Sequence, residues 1–149
     1  MIELRYKELL DVVKGKPFPE GPFENFLLKG LSIDSRTIEP QNLFIAIKGE
    51  KFDGHDFIKQ ALDRGASCVV ISEDKLTDRE IPYLSSTSEN RAVLVKDTRT
   101  ALQNIARWYR DKFKVKIVAI TGTNGKTTTK EMIAEVLSKK YKVLRSEKS

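Results

Sequence analysis

The sequence predicts a mixed α/β protein in which a small α/β domain precedes a single βαβ unit. Short apolar runs of strand length recur along the chain, at residues 43–47, 68–71 and 92–95. Segments with helical spacing of apolar residues alternate with these runs. The last 36 residues continue the alternation as an apolar run, a glycine-rich turn, a helix and a second apolar run. One such unit cannot bury both faces of its sheet, so we expect residues 114–149 to be a fragment of a larger domain.

The first elements follow from apolar spacing and from turn residues. Residues 2–13 predict a helix that ends at Gly15, and residues 17–22 predict a loop because they are rich in proline and glycine. Residues 26–33 predict strand with a turn at Gly30.

The later part of this domain contains the clearest helix. Residues 57–62 predict a short helix, and the polar residues 73–91 predict a loop with a short extended piece at residues 81–83. Apolar residues then recur at intervals of three and four, which is typical of an amphipathic helix. They are Ala101, Leu102, Ile105, Ala106, Tyr109 and Phe113. Asp97 or Thr98 would cap the first turn of this helix.

Composition limits the possible functions. The chain has 149 residues, of which 40% are hydrophobic and 32% charged, and this suits one domain with a buried core. No apolar stretch reaches the ~18 residues of a membrane span, and the N-terminus lacks the pattern of a secretory signal. One cysteine, Cys68, and one histidine, His55, exclude an internal disulfide and a mechanism that needs two histidines. We therefore expect a cytoplasmic protein with no membrane partner.

The net charge of +6 lies entirely in the last part of the chain. Residues 1–113 hold 18 basic and 18 acidic side chains, whereas residues 114–149 hold 9 basic and 3 acidic ones. A basic segment suits a polyanion such as a nucleotide phosphate. No aromatic residues for base stacking alternate with these lysines, so we expect no nucleic-acid partner. The lysines of residues 139–148 are interpreted as solvated side chains.

The most specific motif lies between the apolar run 117–120 and a helix predicted over residues 126–140. It consists of Gly122, Thr123, Asn124, Gly125, Lys126, Thr127 and Thr128. Glycines let backbone amides surround a phosphate, and a helix N-terminus adds partial positive charge. Lys126 would reach the outer phosphates of ATP, and the Thr127 hydroxyl would be a ligand of Mg²⁺. The motif is a shortened phosphate loop, because Ile120 replaces the first glycine of the full pattern.

The alternative for this motif is an ordinary capped helix after a tight turn. That interpretation leaves three successive threonines in the first helical turn unexplained, because threonine is a poor helix former.

The motif and several upstream segments resemble the Mur ligases, ATP-dependent enzymes that form amide bonds in cell-wall precursors. The matching segments are residues 33–36, 43–49, 53–58, 95–106 and 121–132. The resemblance implies that residues 1–113 are a UDP-substrate-binding N-terminal domain. It also implies that residues 114–149 are the start of a central P-loop ATPase domain. Further metal-site and adenine-contacting residues of the family would lie beyond Ser149, so this fragment is expected to be inactive alone.

The resemblance also implies a reaction. Residues 126–132 most resemble the member that adds D-alanyl-D-alanine to UDP-N-acetylmuramoyl-tripeptide through an acyl phosphate. That enzyme would use ATP and Mg²⁺ and would be a monomer at full length, with Lys126 and Thr127 as catalytic residues. One alternative is the ligase that adds lysine or diaminopimelate as the third residue, whose loop shares Thr123. The other is a non-catalytic module that senses ATP.

The UDP contacts that the resemblance implies come from two segments. They are Ile33, Ser35, Arg36, Glu50, Lys51, Phe52, Asp53, Gly54 and His55. A hydroxyl and a guanidinium at a strand end suit diphosphate or uracil, and the backbone of residues 50–54 would face uracil. The alternative for Arg36 is a surface ion pair with Asp34 or Glu39. The alternative for His55 is a capping role.

Overall fold

The computed structural model describes residues 2–20, 24–77, 81–85 and 91–146. Gly21 and Pro22 of the predicted loop lie outside the described residues, as does Lys148. The chain divides into two compact units, residues 1–113 and residues 114–149.

Within its described residues, the first unit contains seven strands and four α-helices. The strands are β1 (Glu3–Arg5), β2 (Lys16–Phe18), β3 (Leu27–Lys29), β4 (Leu31–Ser32), β5 (Leu43–Ile45), β6 (Cys68–Ser72) and β7 (Arg91–Val95). The helices are α1 (Tyr6–Val13), α2 (Ile58–Asp63), α3 (Ile81–Ser85) and α4 (Thr98–Asp111). Single 3₁₀ turns lie at Ser35–Thr37, Gly54–Phe57 and Glu73–Lys75.

The main sheet has the strand order β2-β7-β6-β5-β4. Strands β4 to β7 are parallel, and β2 joins β7 in the antiparallel direction. Strands β1 and β3 form a separate antiparallel pair. Because the four parallel strands end at one edge of the sheet, the segments that follow them meet there.

Helices pack on both faces of the main sheet, and this explains why its central strands are apolar without alternation. Ile45 and Val70 point to the face that packs with α1 and α4. Phe44 and Val69 point to the opposite face, which packs with α2 and α3. All four residues are at most 1% exposed, so the core of the first unit lies on both sides of this sheet.

The structure confirms the α/β class and corrects the start of the chain. The helix predicted over residues 2–13 begins only at Tyr6, because the three residues before it pair with β3. Pro17 and Phe18, predicted as loop, belong to the edge strand β2. Proline is tolerated there because an edge strand has unpaired positions for a residue that cannot donate a hydrogen bond.

The segment predicted as a loop over residues 73–91 is also corrected. Its described residues contain a 3₁₀ turn and the helix α3, so the extended piece predicted at residues 81–83 is wrong. Leu84 of α3 is fully buried against the main sheet. Tertiary packing of one apolar side chain therefore stabilises a helix that the polar local sequence did not indicate.

The second unit contains α5 (Lys126–Ser138), which confirms the helix predicted there. The strands predicted at residues 117–120 and 141–144 form no β-ladder with any described residue. Ile117 and Val118 are 63% and 58% exposed. A strand exists only where a neighbour accepts its hydrogen bonds, and residues 114–146 include no such neighbour, so these two strand predictions are wrong for this chain.

None of the helices in the described part of the chain is long and apolar enough to cross a membrane.

Candidate functional site

Both segments predicted to contact the UDP substrate lie at the carboxyl edge of the parallel strands. Residues 33–36 follow β4, and residues 46–55 follow β5. In open α/β sheets ligands bind at this edge. A cleft of about 440 Å³ opens among the ends of β5, β6 and β7. Its lining includes Lys48, His55, Lys75, Asp97 and Arg99.

Asp34 holds the turn that follows β4. Its carboxylate accepts the backbone N–H of Arg36 at 2.9 Å and pairs with the Arg36 guanidinium at 2.7 Å. The hydrogen bonds from Arg36 lower the pKa of Asp34 to about 2. The ion pair with Asp34 that was given as the alternative is therefore present, and the Arg36 side chain is still 79% exposed.

The other two residues of this segment differ in exposure. Ser35 is buried, and its hydroxyl donates to Oε1 of Gln60 at 2.5 Å. Ile33 is 53% exposed. Ile33 and Arg36 therefore lie at the surface, whereas Ser35 connects the turn to α2.

Residues 48–54, called the β5 loop, are closed at their base by backbone contacts. Lys48 and Asp53 form an isolated antiparallel bridge. The N–H of Gly54 donates to the carbonyl of Ile47 at 2.9 Å. A Cβ at position 54 would lie 2.6 Å from the Ile47 nitrogen, so only glycine allows this close approach.

The tip of the β5 loop projects into solvent. Glu50, Lys51 and Phe52 are exposed, and the Phe52 side chain is 72% exposed. Its ring meets Phe57 edge to face, with the centroids 6.5 Å apart. An exposed aromatic ring is a surface that a planar base can contact.

His55 joins the β5 loop to the end of β6. Its Nδ1 lies 2.6 Å from Oδ1 of Asp53, and its Nε2 accepts the backbone N–H of Ser72 at 3.1 Å. This hydrogen-bond pattern places the ring proton on Nδ1, so the ring donates to Asp53. The side chain is only 9% exposed. His55 therefore supports the loop, and the cap of the 3₁₀ turn that contains it is the carboxylate of Asp53.

Asp53 is the acceptor at the centre of this network. Partial burial raises its pKa, but the hydrogen bonds from the ring and backbone of His55 and from Lys75 outweigh burial and lower the pKa to about 2. Lys75 Nζ lies 3.3 Å from Oδ2. The carboxylate therefore stays ionised and receives donors from two segments of the chain.

Sequence reasoning did not select Lys75 and Arg99 as site residues. Lys75 contacts Asp53, and Nη2 of Arg99 donates to the carbonyl of Lys48 at 3.1 Å. The feature of the sequence that could have indicated them is their position. Each follows a buried apolar run, and the carboxyl ends of parallel strands lie at the same edge of a sheet.

Asp97, one of the two residues predicted to cap α4, is the cap of this helix. It accepts the backbone N–H of Thr100 at 2.9 Å and the Thr100 hydroxyl at 2.5 Å. These bonds lower the pKa of Asp97. Asp97 also accepts the backbone N–H of Arg99 at 3.2 Å, so the cap helps to place Arg99 at the cleft.

The glycine-rich motif forms a loop that leads directly into α5. Gly125 has a φ of +74°, a conformation that favours glycine, and no side chain caps the helix. Lys126 Nζ donates to the carbonyl of Gly122 at 2.5 Å and lies 3.4 Å from the carbonyl of Thr123. The ammonium therefore lies across the loop, next to a helix N-terminus whose first amides have no intrahelical acceptors. Asn124, Thr127 and Thr128 are exposed beside it.

This loop can supply one protein ligand to a magnesium ion. Among the described residues no group of three or more His, Cys, Asp or Glu side chains could hold a metal ion. Nucleotide-bound Mg²⁺ takes most of its ligands from phosphates and water and needs only one or two protein oxygens. Thr127 is exposed in the first turn of α5, and a hydroxyl at this position fits such a ligand.

Comparison with known proteins identifies the family. The model of the Mur ligase family catalytic domain matches residues 27–110, and that of the Mur ligase middle domain matches residues 120–149. The first match alone covers more than half of the chain. The chain therefore belongs to the Mur ligase family, as the resemblance predicted.

Individual relatives match most of this chain. The UDP-N-acetylmuramoyl-tripeptide--D-alanyl-D-alanine ligase of Bacillus subtilis is 41% identical over 144 residues, which are 96% of this chain and 29% of that protein. The Escherichia coli ligase of the same name is 37% identical over 93% of this chain and 27% of its own length. The chain thus spans less than a third of these relatives.

Solved structures give the same result for the fold. Acinetobacter baumannii MurF aligns with a TM-score of 0.76 and 29% identity, over 99% of this chain and 30% of that one. Thermotoga maritima MurF in complex with ADP aligns with a TM-score of 0.64 and 32% identity, over 78% of this chain and 25% of that one.

Proposed function

We propose that this chain contributes to a ligase that adds D-alanyl-D-alanine to UDP-N-acetylmuramoyl-tripeptide in peptidoglycan precursor synthesis. Residues 1–113 would be the UDP-substrate-binding domain and residues 114–149 the start of the ATP-binding domain. The observation that carries the proposal is that one relative of this named activity matches the chain through both units. A module that only senses ATP would need the second unit alone, and the family match at residues 27–110 argues against it.

The lysine- or diaminopimelate-adding ligase is the second candidate within the family. Thr123 is the residue that suggested it. The names of the Bacillus subtilis and Escherichia coli relatives, which are both D-alanyl-D-alanine ligases, favour the first candidate.

The carboxyl edge of the main sheet would hold the UDP end of the substrate. Asp34 orients the exposed guanidinium of Arg36, and an oriented guanidinium suits the oxygens of a diphosphate. Ile33, Ser35 and residues 50–55 complete the proposed contact surface, with the backbone of the β5 loop facing uracil. Ser35 and His55 would act through the turn and the loop that they support.

The loop before α5 would hold the phosphates of ATP. When bound, ATP with Mg²⁺ would supply the phosphoryl group that converts the terminal carboxylate of the tripeptide to an acyl phosphate and leaves ADP. The amine of D-alanyl-D-alanine would then attack the acyl carbon and displace inorganic phosphate. Lys126 would leave the carbonyls of its own loop to neutralise phosphate charge. The loop amides would orient the phosphates, and the Thr127 hydroxyl would be one ligand of Mg²⁺.

The remaining parts of the proposal concern the cell and other partners. We place the ligase in the cytoplasm, as a monomer at full length without nucleic-acid or membrane partners. Lys139, Lys140 and Lys142 are exposed, in agreement with their interpretation as solvated side chains.

A calorimetric titration of this chain tests the substrate assignment. We expect saturable binding of UDP-N-acetylmuramoyl-tripeptide and of UDP alone, and weaker binding of both to Arg36→Met. The control variant Lys126→Ala should bind both ligands as the unaltered chain does. Absence of binding to either ligand would contradict the assignment of residues 1–113 as the UDP-substrate domain.

The role of Lys126 is tested in a chain that carries the complete ligase. We expect Lys126→Ala to lower turnover by several orders of magnitude while the affinity for the UDP substrate stays unchanged, because the lysine acts on phosphate charge. An equal loss of turnover and of substrate affinity would refute this role.

A further inference from the structure

The β5 loop is attached to the ends of two neighbouring strands by two cationic side chains. Lys75, which follows β6, lies 3.3 Å from the carboxylate of Asp53. Arg99, which follows β7, donates to the carbonyl of Lys48 at 3.1 Å. Lys48 and Asp53 are bridge partners where the β5 loop begins and ends. The two cations therefore hold both ends of the loop.

These contacts cross long stretches of sequence. Arg99 is separated from Lys48 by 51 positions, whereas the bonds that close the loop itself are local. The tip of the loop is exposed and receives little packing. A loop with few buried contacts opens easily, so the contacts at its base decide how often it opens.

We propose that Lys75 and Arg99 are positioning residues that hold the β5 loop in the conformation that binds the uracil end of the substrate. This inference rests on the proposed function and adds two residues to it. Both side chains direct a donor to an acceptor of the protein itself, which is the Asp53 carboxylate for Lys75 and the Lys48 carbonyl for Arg99. The cleft they line also contains the carboxylates of Asp74 and Asp97, so their role is to orient the loop and not to attract phosphate.

The first test measures the loop without any ligand. In Arg99→Met and in Lys75→Met we expect the amides of Gly49 and Gly54 to exchange about five-fold faster, as one hydrogen bond of ordinary strength predicts. The double variant should exceed either single one, while the amides of β6 stay unchanged. Arg107→Met is the matched control, because Arg107 is exposed on the same helix about 12 Å further along. Lys59→Met controls for loss of an ion pair, since Lys59 pairs with Asp63.

The second test uses uridine and UDP as probes of the unaltered chain and the variants. We expect Arg99→Met to weaken both ligands by the same factor of about five, because the loop contacts uracil in both. Arg99→Lys should recover part of this loss, since it keeps one donor but not the planar guanidinium. In a complete ligase Arg99→Met should raise KM for the UDP substrate and leave kcat unchanged.

The outcomes separate the inference from the proposed function. A loss for UDP but not for uridine would overturn the inference, because it would show a direct phosphate contact. Unchanged amide exchange in the β5 loop of both single variants would overturn it as well. If the unaltered chain binds neither ligand, the proposed function fails, and the exchange experiment still decides whether Lys75 and Arg99 hold the loop.

Discussion

The two units of this chain contain similar apolar strand sequences, but among the described residues only those of the first unit form a sheet. Residues 68–71 are fully buried in the centre of five strands. Residues 117–120 have the same apolar character, yet Ile117 and Val118 are more than half exposed. Ala134 is the one buried apolar residue among residues 114–146. An apolar run therefore specifies a strand only when other segments supply hydrogen-bond partners and covering helices.

The two candidate sites differ in the same way. The site of the first unit is assembled from the ends of several strands, so its residues also support the fold. The glycine-rich loop of the second unit is local, because its glycines, its lysine and the start of α5 lie within a few residues. Its contacts do not need a sheet, and residues 114–146 form none.

The largest expected difference between the units is in amide hydrogen exchange. We expect the amides of residues 117–120 to exchange on the order of a thousand-fold or more faster than those of β6, because the latter need near-global unfolding to open. Amide exchange of this chain, measured by nuclear magnetic resonance or mass spectrometry, tests this difference. Equal protection in both units would break the comparison and show that residues 114–149 are packed in solution.

A matched pair of isoleucine substitutions measures the same difference as stability. Ile71→Ala removes a fully buried side chain of β6 and should lower the free energy of unfolding by about 2–5 kcal/mol. Ile117→Ala removes a side chain that is 63% exposed and should change it by less than about 0.5 kcal/mol. Urea denaturation of the two variants tests this. Similar losses at both positions would mean that Ile117 is buried in solution.

The site residues of the two units should differ in their effect on stability. His55→Ala removes the ring that bonds both Asp53 and the N–H of Ser72, and we expect a loss of about 1–3 kcal/mol. Lys126→Ala should cost less than about 0.5 kcal/mol, since its contacts are exposed. Thermal or urea unfolding distinguishes the two. A His55 variant as stable as the unaltered chain would argue that the ring does not support the β5 loop.

The last expected effect concerns pH and the carboxylate of Asp53. Its pKa is about 2 in the folded chain and has an ordinary value of 3.8. A lowered folded pKa stabilises the protein above the unfolded pKa, and this contribution is lost as the pH falls from about 4 to 2. Asp53→Asn should therefore show a shallower fall of unfolding free energy over that range. Parallel pH profiles for the variant and the unaltered chain would contradict the network around Asp53.

Sequence patterns were sufficient to predict the elements that are specified by their own adjacent residues. The central strands β5, β6 and β7, the amphipathic helix α4, its cap at Asp97 and the helix α5 after the glycine-rich motif were all predicted and are present. They could be predicted because apolar spacing, a capping carboxylate and glycine positions are properties of adjacent residues.

The elements that were missed depend on distant partners. Strands β1 and β2 exist because β3 and β7 accept their hydrogen bonds, and α3 exists because Leu84 packs on the sheet. The same holds for the site, where no local pattern could show that Lys75 and Arg99 meet the β5 loop.

The sequence by itself thus determined the α/β class, the family, the strand and helix order of the sheet's centre, and the local glycine-rich loop before α5. Only the tertiary structure decided which apolar runs become strands, and which side chains meet at the carboxyl edge of the sheet. The physical reason is that backbone hydrogen bonds between strands and contacts between strand ends join residues far apart in the chain. Their formation depends on partners that the spacing of neighbouring residues does not describe.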